Sequence, residues 1–195
     1  ICAGACPTAT PFRRASDLVP GIDLPEHPIS LVREHTEAAA EGLSGTDRII
    51  IFDCEHALNT GKLNLANTGS VELRCTAMLP PSFIDFVLSR DMADGVVLTG
   101  CREGQCQYRL GNDWVDGRLE GTRDPMLRKR VPRERLLKTW ASPTDWRAFE
   151  REVETFREQL KALPEGDKPG GPKGGLKGLP GGRKDKPSST EETAA

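Results

Sequence analysis

The chain has no apolar run approaching the roughly 20 residues that a helix needs to cross a bilayer. It also shows no charged leader followed by an apolar h-region. Both absences point to a soluble, cytoplasmic protein with no membrane span, although the sequence opens at Ile1, inside a motif, and they speak only for the residues present. Aromatic residues are scarce, with one Tyr and three Trp among 195 residues, and the formal net charge is -2. A chain with few stacking platforms and no basic footprint is poorly suited to nucleic acid. No G-x-G-x-x-G occurs, so a nucleotide or flavin site is unsupported and any flavin is expected on a partner. No C-x2-C occurs either, which disfavours a zinc knuckle and a thiol–disulfide enzyme. The three histidines give little basis for acid–base catalysis: His27 lies beside proline, His35 lies in an alanine-rich stretch, and only His56 adjoins a cysteine.

The chain does contain enough apolar sequence for one packed core, with 36% hydrophobic and 29% charged residues. It also has six cysteines, for which metal or redox chemistry is a better explanation than stapling in a chain of this size. Short β-branched runs at Arg48–Asp53, Val71–Arg74, Val96–Thr99 and Leu136–Trp140 predict strands, the first buried on both faces. Helices are expected from Ile29 to about Gly42, from Pro81 through SFIDFVLSRDM, and after the capped start Ser142-Pro143-Thr144-Asp145. The last helix carries Trp146, Phe149, Val153, Phe156, Leu160 and Leu163 as one apolar stripe. Between 107 and 130 the charged, glycine-bearing sequence suggests only a short helix near Pro125–Lys129. After Cys54 a short turn through Glu55–Leu58 is expected. Strand, helix and strand across Val71–Thr99 form a βαβ unit, which predicts parallel neighbours. The fold class is therefore α/β: a three-layer open parallel sheet of about four strands with flanking helices. The domain reading is a proline-rich remnant over 1–25, a linker helix over 26–47, the α/β domain over 48–163 and a disordered glycine-, proline- and lysine-rich tail over 164–195.

Cys54, Cys75, Cys101 and Cys106 each fall where a strand-like run gives way to polar residues or glycine. In a parallel sheet ligands gather at the carboxyl ends of strands, so cysteines trailing successive strands converge without being close in sequence. Convergent thiolates hold metal. Cys101 and Cys106 form a C-x4-C, a spacing also found in plant-type 2Fe-2S ferredoxins, and Cys54 with Cys75 completes the four thiolates usual for a 2Fe-2S centre. The helix entered at Pro81 is expected to aim its positive end at this anionic site. A four-cysteine zinc site in a structural interaction module is the alternative use of the same residues. His56, Arg74, Arg102 and Tyr108 are candidates to tune the site or dock a partner, with surface roles as the alternative, and Met78 and Trp114 are expected in the core. At the other end, Cys2-Ala-Gly-Ala-Cys6-Pro7 is C-x3-C-P, the closing half of the bacterial C-x2-C-x2-C-x3-C-P run that wraps a cubane cluster.

Two resemblances follow from these residues. ICAGACPTATPFR resembles the second cluster motif of two-cluster ferredoxins, which implies that Cys2 ligates a local 4Fe-4S cluster and Cys6 the other one, in a parent longer than this truncated segment. RIIIFDCEHAL followed by VELRCTAMLPPSFIDFVLSRDMADGVVLTGCREGQCQYRLGN resembles the delta (iron-sulfur) subunit of methyl-viologen-reducing hydrogenases, from about Arg48 to Leu163. Its most specific part is G-C-x4-C-x-Y-x-x-G-N at Gly100, Cys101, Cys106, Tyr108, Gly111 and Asn112. That resemblance implies an oxidoreductase component with no substrate site of its own. It would pass electrons through a 2Fe-2S cluster on Cys54, Cys75, Cys101 and Cys106, between a hydrogenase or formate dehydrogenase and a heterodisulfide-reductase-like flavoprotein. Family members often read C-x-x-C at the first cysteine, and here the second place is Ala57. The ferredoxin-like segment in front suggests an electron wire with a different donor.

Overall fold

The computed structural model describes residues 24–163. Cys2, Cys6 and the ferredoxin-like segment, together with the tail beyond 163, lie outside the described residues. The centre of the fold is the run Ile49–Cys54 (β1), in which every residue is buried. β-branched side chains on both faces of one strand are satisfied only when each face is covered by another layer. Here the alternation sends Ile50 and Phe52 into one apolar cluster and Ile49 and Ile51 into another. The first cluster receives helices α1 (Ile29–Glu41), α2 (Pro81–Ser89) and α3 (Gly111–Glu120), and the second receives α4 (Trp146–Ala162).

Strands β2 (Thr68–Leu73), β3 (Gly95–Gly100) and β4 (Leu136–Trp140) complete a four-stranded sheet in the order β2-β1-β3-β4, parallel throughout. The expected α/β class is therefore what forms. The βαβ unit differs in one respect. β2 and β3 do not pair with each other but flank β1 on either side, so α2 crosses over the central strand. The strand order consequently reverses between β1 and β3, and that reversal opens a crevice at their carboxyl ends.

Each element has a local cause. α1 follows Pro28 and stops at Gly42. It lies so close to β2 that a Cβ on Gly69 would stand 2.8 Å from the Ala39 carbonyl oxygen. α2 enters through Pro80 and Pro81, where the missing N–H costs nothing, and buries Phe83, Ile84, Val87 and Leu88. α4 follows a turn over Pro143–Asp145 in which both the Ser142 amide and hydroxyl donate to the Asp145 carboxylate, at 2.9 and 2.6 Å. The start predicted for this helix is thus formed. Of its stripe, Phe149, Val153, Phe156 and Leu160 are buried, whereas Trp146 remains 39% exposed with Arg147 stacked over its ring.

The region 107–130 departs from expectation. Its helix is α3, not Pro125–Lys129, where the chain is irregular and sends only Leu127 into the core. The glycines that read as breakers serve this helix: Gly111 opens it, and Gly121 closes it in the left-handed region at φ 83°. Buried Asp85 on α2 accepts from Arg128 and Arg130 and so ties the irregular stretch down.

Candidate metal centre

All four predicted cysteines reach the same carboxyl edge. Cys54 ends β1, Cys75 opens the short turn Thr76–Met78 after β2, and Cys101 follows β3, with Cys106 five residues on. Cys54 and Cys101 are buried, and Cys75 and Cys106 are half-buried. The sulfurs form a connected series. Cys54 hydrogen-bonds Cys75, Cys101 packs with Cys54 and Ala57, and Cys106 packs against that group. Cys75 and Cys106 meet over Gly111, where a Cβ would lie 3.0 Å from one sulfur and 2.9 Å from the other. Among the described residues, no three His, Cys, Asp or Glu side chains are gathered as a ready site for one metal ion.

Backbone and neighbouring charge already address these sulfurs. The His56 amide donates to the Cys54 sulfur and the Ala77 amide to the Cys75 sulfur. The hydrogen bond from Cys54 lowers the Cys75 thiol to about 7; burial opposes this, while the Ala77 amide and the Arg118 charge support it. The Cys54 thiol is driven the other way, first by that same shared hydrogen bond and then by burial. The two thiols are thus shifted in opposite directions, and the Cys54 thiol also donates to the Arg74 carbonyl at 3.6 Å. The Asn112 side chain donates to the Cys101 carbonyl at 2.7 Å, and Thr76 donates to the Thr99 carbonyl at 2.9 Å, so the loops that carry the thiols are fixed to one another.

The other predicted site residues separate. His56 contributes its backbone to the site, while its imidazole pairs with Glu55 at 3.3 Å and meets the Tyr108 ring. Arg74 forms a surface pair with Glu55 at 2.9 Å, and exposed Arg102 lies 4.0 Å from Asp145. Met78 is in the core as expected, but Trp114 is not: it is 39% exposed beneath Arg123, because α3 presents that face to solvent. A helix that does begin against the sulfurs is α3, whose first residue is Gly111. Sequence reasoning missed Arg118. Its Nη1 donates to the Ala77 carbonyl at 2.6 Å, and its Nε is buried without a partner. Only the seven-residue step from Gly111, which returns to the same helix face, signalled it.

A doubly wound parallel sheet with four cysteines at its switch point defines a cysteine-site α/β domain. Residues 49–164 match the family of the methyl-viologen-reducing hydrogenase, delta subunit, and the chain belongs to that family. Among curated relatives, the chain is 27% identical over 93 residues to the iron-sulfur D subunit of the F420-non-reducing hydrogenase vhc of Methanococcus voltae, covering 48% of this chain and 64% of that relative. It is 26% identical over 97 residues to the A subunit of the ferredoxin:CoB-CoM heterodisulfide reductase of Methanosarcina mazei, covering 50% of this chain and 12% of that one. The corresponding heterodisulfide reductase component of Methanosarcina acetivorans, described as ferredoxin/F(420)H(2)-dependent, matches over the same lengths. The chain thus spans under two thirds of the length of these relatives. Among the described residues no helix is long and apolar enough to cross a membrane.

Proposed function

We propose that this chain is an electron-transfer component of an oxidoreductase complex of the hydrogenase, formate dehydrogenase or heterodisulfide reductase type, relaying electrons through a 2Fe-2S cluster held by Cys54, Cys75, Cys101 and Cys106. The observation that carries this reading is the convergence of four thiols, drawn from three strand ends, on the crevice between β1 and β3. The residues fit such a group. The donor set is all sulfur, Gly111 leaves open the space a side chain would fill, and two backbone amides already donate to sulfur. When bound, the cluster would supply a one-electron store. The chain's part is to hold it, to exclude water through the buried Cys54 and Cys101, and to set its potential by hydrogen bonds and nearby charge. A zinc ion needs every sulfur about 2.3 Å from one point. The wide sequence spacing of Cys54, Cys75 and Cys101, without the paired C-x2-C knuckles typical of zinc, disfavours that ion. Cys2 and Cys6, outside the described residues, would be 4Fe-4S ligands in this reading.

No substrate is turned over on this chain in this reading; electrons pass between partner proteins. The same edge carries the exposed apolar residues a partner would cover: Tyr108 and Leu110 beside the cysteine loop, Trp114 on α3 and Trp146 at the start of α4. Arg102, Arg109, Arg123 and Arg147 are interspersed among them. Tyr, Trp and Arg are the residues enriched where interfaces draw their energy.

The test is anaerobic purification followed by metal and sulfide analysis. About two iron and two acid-labile sulfide atoms per chain are expected, and serine at Cys101 or Cys106 should bleach or shift the visible spectrum. Zinc without sulfide, or a spectrum indifferent to both serines, would overturn the reading.

A further inference from the structure

α3 brings a second group to the cysteine site besides Gly111. Gly111, Val115 and Arg118 lie at steps of four and three and so share one face of the helix. Gly111 lies on the sulfurs of Cys75 and Cys106, Val115 enters the core, and Arg118 reaches the Ala77 carbonyl two residues after Cys75. The Arg118 side chain is held there by one neutral acceptor. Its Nε is buried and unbonded, and among the described residues no carboxylate lies within ion-pair distance of it. The nearby guanidinium of Arg123 repels it, and the negative group that acts on it is the Cys75 sulfur. A half-buried cation left in this state loses hydration without compensation, and folded proteins tolerate that where an opposite charge arrives. Arg157, the strongly buried arginine of α4, is better supplied: it meets the Asp47 carboxylate and the Ala66 carbonyl.

We propose that Arg118 is the fixed counter-charge of the cysteine site, placed by α3 to offset the net negative charge of an iron–sulfur centre held by four thiolates, and that it thereby raises the reduction potential of the centre. The inference rests on the iron–sulfur reading above and names the residue that tunes that group. Arg118 is a positioning residue: it touches no electron carrier directly but acts through the Cys75 loop. A cluster bound by four thiolates is anionic and becomes more so on reduction, so a fixed positive charge beside it favours the reduced form. Arg118 also donates to the carbonyl of the residue whose amide donates to the Cys75 sulfur, so Ala77 is held from both sides.

The experiment compares the full chain with its Arg118→Lys and Arg118→Met variants, metal-free and iron-loaded. In a redox titration followed by EPR, Arg118→Met is expected to reduce the ratio of reduced to oxidised centre about tenfold at a fixed poise, equivalent to about 59 mV for one electron. Arg118→Lys, which keeps the charge, should recover most of that loss. Thermal melting gives a readout independent of electron transfer: Arg118→Met should cost more stability in the loaded protein than in the metal-free one, because only the loaded site supplies the opposite charge. If both forms lose equally, or if the potential does not move while iron is retained, Arg118 is merely a structural residue and the inference is overturned. A chain that takes up no iron overturns the iron–sulfur reading itself, an outcome recognised before any variant is compared.

Discussion

Gly111 shows how much a single position controls. Its absent side chain is the space over which Cys75 and Cys106 face each other. In the metal-free protein a methyl group there needs only a rotation of the two cysteines about χ1, while a loaded site has no such freedom. Gly111→Ala is therefore expected to lower iron content per chain several-fold with little change in the melting temperature of the metal-free form, as iron analysis and calorimetry on the same preparations would show. Asp47 gives a pH-dependent counterpart away from the site. Burial pushes its carboxyl up, but hydrogen bonds from Asn67 and Arg157 and the charges of Arg157 and Lys161 outweigh this, so its pKa falls below the ordinary 3.8. A carboxylate lowered in the fold contributes stability that is fully present above its unfolded pKa and is lost as pH falls through the folded one. Asp47→Asn should thus lower the urea midpoint at pH 7, and its deficit against the parent chain should close as pH drops below 3.8.

At the scale of elements, α4 separates periodicity from burial. Trp146 and Phe156 belong to the same sequence stripe, yet Phe156 lies in the core against Gly95 of β3, where a Cβ would be 2.8 Å from its ring, and Trp146 is solvent-facing. Phe156→Ala should cost about 3 kcal/mol, and Trp146→Ala within about 0.5 kcal/mol, both read from denaturant unfolding. The stripe could be read from sequence because its period is that of a helix, but where the stripe leaves the core is decided by how far β4 and β3 extend beneath it. The same limit explains α3. Its glycines and many charges argue against a helix by propensity, and tertiary fit outweighs propensity, since Gly111 fits beneath two sulfurs and Val115 completes the core. The strands were legible because a run such as IIIF leaves a chain few alternatives. Cys54, Cys75 and Cys101 were legible because each trails such a run, and Cys106 because it closes the C-x4-C that begins at Cys101. The Asn112 hydrogen bond and the aiming of the His56 amide were not, because they depend on a crossover geometry that no local pattern encodes, and Arg118 was signalled only by its seven-residue step from Gly111.

For the molecule as a whole, the cysteine edge is also the apolar edge. If partners dock there, Trp114→Ala and Tyr108→Ala should leave the melting temperature unchanged, since both rings are solvent-facing. They should slow electron delivery from a protein partner without altering reduction by a small dye, a difference that stopped-flow spectroscopy would resolve. Equal slowing with both donors would place the two rings at the centre rather than at the interface.

The order of the strands also sets a sequence of events during maturation. Cys54 lies on the central strand, with Cys75 and Cys101 arriving from opposite neighbours, so the pocket does not exist until β2 and β3 have both paired with β1. An unfolded or half-assembled chain offers scattered thiols rather than a receptacle. If the site takes the iron–sulfur group proposed above, its delivery must follow completion of the sheet, and whatever loads the protein has to recognise a finished domain rather than a nascent peptide.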